Sequence, residues 1–142
     1  MSRLFCIDGT NLVRTAYGYG GPAHSAQEDA DTDRIAVIFG QVCEEAGPEM
    51  EIELFFDGAF RTLGGLRPDN FRVSFTRELP ADDMILDRVR SRKWSKGGPT
   101  TVVTADVELG EMAEAEGGKW MRVGHGSSVE GNIGRMRGRL LR

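Results

Sequence analysis

An α/β three-layer sandwich, with a mostly parallel central sheet between helices, is the fold class this sequence predicts. Short apolar or β-branched runs alternate with segments of helical period, the pattern that builds βαβ units. Four separated stretches place an aspartate where such a run stops or a helix starts. They are Leu4-Phe5-Cys6-Ile7-Asp8-Gly9-Thr10-Asn11, Leu54-Phe55-Phe56-Asp57-Gly58, Leu79-Pro80-Ala81-Asp82-Asp83 and Thr101-Val102-Val103-Thr104-Ala105-Asp106. A chain of 142 residues with 39% hydrophobic and 28% charged content suits one domain, large enough for a sheet covered on both faces. The expected organisation is a single domain over 1–142, with a core at about 3–123 and a C-terminal helix at 127–142.

Residues 3–7 form a short apolar strand, followed by Gly9 at a tight turn and a Gly/Tyr-rich loop through Tyr17-Gly18-Tyr19-Gly20-Gly21-Pro22. From Thr32 or Asp33 to Ala46 the period is helical. Ile35, Ile38, Phe39, Val42, Cys43 and Ala46 make one stripe, Asp31, Thr32 and Asp33 are N-cap candidates, and Gly47-Pro48 is the stop. Residues 51–56 read as the second strand and 72–76 as a third, nearer a sheet edge. A helix over 82–93 turns Ile85, Leu86 and Val89 inward. Pro99 precedes a β-branched run at 100–104, the clearest strand. A helix at 107–115 ends at Gly117-Gly118, and 119–123 is a last strand. The tail carries Val129, Ile133, Met136 and Leu140 at helical spacing, with arginines opposite. Gly131, Gly134 and Gly138 each cost that helix about 1 kcal/mol relative to Ala, so it needs docking to persist.

The net charge of −4 argues against general nucleic-acid coating, yet the charge is uneven. Residues 28–33 and 44–53 are acidic. Arg88, Arg90, Arg92, Lys93 and Lys96 form one basic patch, and Arg135, Arg137, Arg139 and Arg142 another. An acidic site flanked by basic patches suits a polyanionic substrate, because local charge steers binding. Cys6 and Cys43 read as small buried hydrophobes rather than a disulfide. The first apolar run is too short for a signal peptide, and nothing approaches the roughly 20 apolar residues of a membrane span, so a cytoplasmic location is expected. His24 and His125 read as exposed loop residues, Trp94 and Trp120 as core or boundary.

In a parallel sheet all strand C-termini open on one edge, where ligands bind. The four aspartates should converge there. Carboxylates without His or Cys neighbours offer oxygen-only coordination, which suits Mg²⁺ or Mn²⁺. Asp82 lies in a first helical turn on the stripe of Ile85, Leu86 and Val89, whereas Asp83 points with Asp87 and Arg90 to solvent. Favouring the positive end of a helix dipole explains Asp83 better than Asp82. Asp106 is equally a helix N-cap or a ligand. Asp8 ends a buried strand beside Gly9, and Asn11 can orient a carboxylate or contact a phosphate.

The pieces Ile7-Asp8-Gly9-Thr10-Asn11, Phe56-Asp57-Gly58-Ala59, Val73-Ser74-Phe75-Thr76-Arg77, Ala81-Asp82-Asp83 and Val103-Thr104-Ala105-Asp106 occur in the order seen in YacP-like NYN domains. The chain resembles those PIN-like ribonucleases from about residue 3 to about residue 115. Thr10 replaces the family's tyrosine, Ala105 its serine, and Asp83 its frequent glutamate. No match extends past residue 117. The resemblance implies a metal-dependent ribonuclease, leaving 5′-phosphate and 3′-hydroxyl ends. Asp8, Asp82 and Asp106 would hold one or two Mg²⁺ or Mn²⁺ ions, with Asp57 a further ligand, and Asn11 and Thr104 would orient ligands or the phosphate. Arg61, Arg77, Arg135, Arg137 and Arg139 are the expected contacts to the RNA, and a protein partner could select the substrate.

Two other readings compete. Ile7-Asp8-Gly9-Thr10 looks like the end of the haloacid-dehalogenase phosphatase motif, but Cys6 stands where that chemistry needs its nucleophilic aspartate. A catalytically inactive module that binds RNA or protein is the second. A nucleotide-binding Rossmann reading is weaker still, since neither Gly-x-Gly-x-x-Gly nor the Gly-Lys-Ser/Thr of a P-loop occurs.

Overall fold

The computed structural model describes residues 2–20, 25–92 and 100–140, with Lys93 described in its backbone alone. The readings placed on Gly21, Pro22, His24, Trp94, Lys96, Pro99 and Arg142 lie outside the described residues.

Five strands form one sheet in the order β3-β2-β1-β4-β5, and every neighbouring pair is parallel. The strands are β1 (Arg3–Asp8), β2 (Met50–Phe56), β3 (Phe71–Phe75), β4 (Thr100–Thr104) and β5 (Lys119–Arg122). The helices are α1 (Gly9–Tyr17), α2 (Ala26–Ala46), α3 (Ala81–Lys93), α4 (Val107–Ala115) and α5 (Val129–Leu140). The middle strand β1 must be apolar on both faces, as strands buried between two helical layers are. Phe5 and Ile7 enter a core with Leu12, Ile35, Phe39, Ile133 and Met136, so α1, α2 and α5 share that side. Leu4 and Cys6 enter a smaller core with Ile85, Leu86, Val89, Leu109 and Ala113, the side of α3 and α4.

Two elements depart from the sequence reading. The turn and loop expected after Asp8 begin instead with α1, which Asp8 caps and Gly18 ends at a φ of 78°. Gly9 is needed there for space: a Cβ would lie 2.5 Å from the Phe56 ring. The second helix starts at Ala26, about two turns ahead of the apolar stripe, because Ser25 supplies the cap by accepting the Glu28 N–H. Asp31, Thr32 and Asp33 are thereby inside the helix. Asp31 takes the Tyr19 hydroxyl at 2.6 Å, Thr32 donates to the Glu28 carbonyl, and Asp33 accepts the Gly64 N–H at 2.7 Å. Among the described residues no helix is long and apolar enough to cross a membrane.

Cys6 and Cys43 are both free and buried. Burial pushes the Cys43 thiol up to about 12 and drives Cys6 upward too, so both are protonated packing residues. The α5 stripe docks as its spacing predicts: Val129, Ile133 and Met136 are buried and Leu140 packs against the same core.

Candidate functional site

Parallel register decides what meets at the strand C-termini. Asp8 pairs with Phe55, so Asp57 lies two residues further on, just past the end of the neighbouring strand. Ile7 pairs with Val103, so Thr104 lies beside Asp8 and Asp106 just past it. α3 brings Asp82 to the same edge. Asp8, Thr10, Asn11, Arg14, Asp57, Asp82 and Asp106 line one cleft of about 410 Å³.

Three of the four carboxylates have a local task. Asp8 caps α1 by accepting the Asn11 N–H at 3.2 Å. Asp106 caps α4 by accepting the Leu109 N–H at 3.2 Å, while its own N–H donates to Thr104 Oγ1 at 3.1 Å. Asp57 accepts the Ala81 N–H at 3.2 Å, and its own N–H donates to Thr10 Oγ1 at 2.9 Å. Asn11 Oδ1 accepts the Ala105 N–H at 2.9 Å. Thr10 therefore ties α1 to the end of β2, and Asn11 ties α1 to the end of β4, at this edge. Asp82 is half-buried on α3 beside exposed Asp83.

Burial pushes the Asp8 carboxyl up to about 7, opposed by the Asn11 N–H and reinforced by Asp57, Asp82 and Asp106. Asp82 is raised for the same first reason, with Asp106, Asp57, Asp83 and Glu108 adding repulsion. The four acids share a cleft and feel one another, but they do not share a coordination sphere. Among the described residues no three His, Cys, Asp or Glu side chains gather closely enough to hold a metal ion. That overturns the expected Mg²⁺ or Mn²⁺ cofactor and, with it, the metal-dependent ribonuclease, whose expected hydrolysis runs through an ion held by these carboxylates. The physical reason is orientation. Asp8, Asp57 and Asp106 each turn an oxygen to a backbone N–H at an element boundary.

The expected RNA contacts divide into two groups. Arg61 and Arg77 lie beside the Asp57-Gly58 segment that follows β2. Arg61 donates to the Asp57 carbonyl at 3.0 Å and to Asp29 at 3.3 Å, and its guanidinium lies 5.1 Å from the Phe75 ring centre. Arg77 is exposed, at a φ of 60°, bridged through its backbone to Gly58. The α5 arginines make contacts within the protein. Arg135 donates to the Arg122 carbonyl at 2.6 Å, Arg137 pairs with Glu45 at 3.4 Å, and Arg139 also has a partner. His125 is exposed. Trp120 is a boundary residue, its indole N–H donating to the Thr104 carbonyl at 3.1 Å.

Sequence reasoning missed Arg14, Thr10 and Phe60. Arg14 reaches the cleft one turn after Asn11 and pairs with buried Glu28 at 3.2 Å, a relation invisible while α1 reads as a loop. Phe60 is 68% exposed and meets the Phe75 ring edge-on at 5.5 Å. Its signal was an aromatic residue in the polar, Gly-bounded stretch after Asp57-Gly58.

No match is found among protein families, and none among curated proteins. Among solved structures, the chain is similar to Rae1 (YacP) from Bacillus subtilis, crystallised as a W164L mutant. The likeness has a TM-score of 0.65 at 14% identity, over 98% of this chain and 79% of that one. The chain therefore has the NYN/PIN-like fold, the α/β sandwich expected from its sequence.

Proposed function

We propose that the protein is a non-catalytic NYN-fold module that binds single-stranded RNA along the outer lip of the acidic cleft. The observation that carries this reading is Phe60. It is a large aromatic side chain left in solvent, backed by Phe75, over whose ring the Arg61 guanidinium lies. Ala59, Phe60, Arg77 and Glu78 line a cavity of about 440 Å³ at this lip, roomy enough for an unstacked base. Proteins read single-stranded RNA by stacking bases on such rings and holding phosphates with arginine. Glu78 supplies an acceptor for a base amino group, and Arg77 supplies the donors for a phosphate. The cleft beside the lip is too acidic to take phosphates, so the backbone runs outside it. A cytoplasmic setting, where RNA is met and buried thiols stay reduced, fits this reading.

Fluorescence anisotropy with a labelled single-stranded RNA tests it. Stacking contributes about 1–3 kcal/mol per base, so Phe60→Ala should weaken binding roughly five- to a hundredfold. Arg77→Gln should weaken it and lower the salt dependence by about one phosphate contact. Replacing Arg135, Arg137 and Arg139 by Gln should change neither. No binding by the wild type, or binding indifferent to Phe60 and Arg77, would overturn the reading.

A further inference from the structure

On the α3 side of the sheet, helical cover stops short of the β2–β3 border, and charged side chains take its place. Glu53 of β2 is buried there, on the same face as Phe55. Its Oε1 lies 3.0 Å from Arg88 Nε of α3 and 3.5 Å from Arg72 Nη2 of β3, and its Oε2 accepts the Ser74 hydroxyl at 2.8 Å. One turn beyond Arg88, Arg92 donates to Glu51 at 2.8 Å and to Ser2 Oγ at 3.0 Å. Arg72, Arg88, Arg92, Ser91 and Leu4 line a groove of about 220 Å³. It lies towards the end of α3 opposite to Asp82.

We propose that this groove is an oxyanion site that takes a phosphate group. Arg72 and Arg88 share the one carboxylate of Glu53, while Arg92 is paired with Glu51. Each guanidinium presents five N–H donors in a fixed fork, and one Glu53 cannot use those of both Arg72 and Arg88. Their side chains are 50% and 42% exposed, so donors remain at the groove wall. Glu53 holds the two forks in place from beneath, which lowers the ordering cost of a ligand. Forked donors from two elements match a tetrahedral oxyanion better than a lone lysine would. The Ser91 hydroxyl is turned to the Asp87 carbonyl at 2.9 Å, so the arginines carry the recognition. This site does not rest on the RNA reading: Phe60 and Arg77 lie at the cleft lip, away from the groove.

The test is an NMR titration of the full chain with sodium phosphate, against sodium chloride at matched ionic strength, observing the Nε–H signals of Arg72 and Arg88. Saturable shifts with phosphate alone are expected. Arg72→Gln should weaken phosphate binding at least fivefold, while Phe60→Ala leaves it unchanged. Arg72→Lys keeps the charge and loses the fork. It should also weaken binding, with an unaltered melting temperature, which guards against a loosened fold in the first variant. Short RNAs with and without a 5′-phosphate identify the source. Shifts with both mean backbone phosphates, and shifts with the phosphorylated one alone mean a terminal phosphate. Non-saturating shifts equal to those of chloride, or saturable shifts that survive both Arg72 variants, would overturn the proposal.

Discussion

Asp8 caps α1 with a carboxyl that burial has raised from 3.8 to about 7, and this makes stability depend on pH with a definite sign. Between those two values the unfolded chain has released its proton while the folded chain keeps it. Stability therefore falls as pH climbs through the window and levels off above the folded value. Asn caps a helix about as well as Asp and carries no charge. Asp8→Asn should thus be more stable than wild type at pH 8, by about 2–4 kcal/mol, and should lose most of the decline between pH 5 and pH 8. Asp82, raised in the same direction, leaves a smaller residual slope in the mutant. Urea unfolding of both proteins at pH 5.5 and pH 8 measures this. Equal slopes in the two would show that Asp8 is solvated after all. At this scale the sequence reveals which residues stand at the sheet edge, because strand ends and Asp-Gly pairs are local patterns. It does not reveal where a carboxylate aims. Capping and ligation use the same residue at the same position, and only the folded arrangement of the side chains separates them.

Element by element, α5 is the strictest test of packing over propensity. Three glycines weaken it, yet Met136 is fully buried and Asn132 is fixed by the Ser128 carbonyl at 2.9 Å. Deleting a buried methionine side chain to Ala costs about 2–5 kcal/mol, so Met136→Ala should lower the urea midpoint. Exposed Arg137→Ala, which breaks only a surface pair with Glu45, should cost about 1 kcal/mol or less. A near-neutral Met136→Ala would mean that α5 is not docked on this core. The long stripes of α2 and α5 and the β-branched β4 were legible because burial imposes a period over many residues. α1 was not. Gly9 and Thr10 look like a turn, and the reason for glycine is the Phe56 ring, which sequence cannot bring near. Glu53 was hidden for a similar reason. The sequence marks it only as one residue of the second strand, whereas Arg72, Arg88 and Ser74 close over it from 19 to 35 residues away.

Across the whole molecule, charge is sorted towards opposite ends of α3. The carboxylate cleft lies at one and the arginine groove towards the other, within a chain of net charge −4. Mutual repulsion in the cleft is a field effect, so any salt should relieve part of it. Its Debye length is about 10 Å at 0.1 M, comparable with the cleft itself. A melting temperature that rises with added salt is therefore expected, and the identity of the cation should matter little. A coordinated ion behaves differently. At a hundred times its dissociation constant it adds about 2.7 kcal/mol by mass action, several degrees for a chain of this length. Melting curves in NaCl and in MgCl₂ or MnCl₂ at equal ionic strength separate the two, with EDTA as control. Since no three acidic side chains gather as a ligand set among the described residues, the curves should agree within about 1 °C. Asp57→Asn combined with Asp82→Asn should flatten the salt response by removing two of the repelling charges. A divalent excess of several degrees that this double variant abolishes would restore a bound ion to the cleft. It would mean that caps which look committed to backbone N–H groups release their carboxylates when a cation arrives.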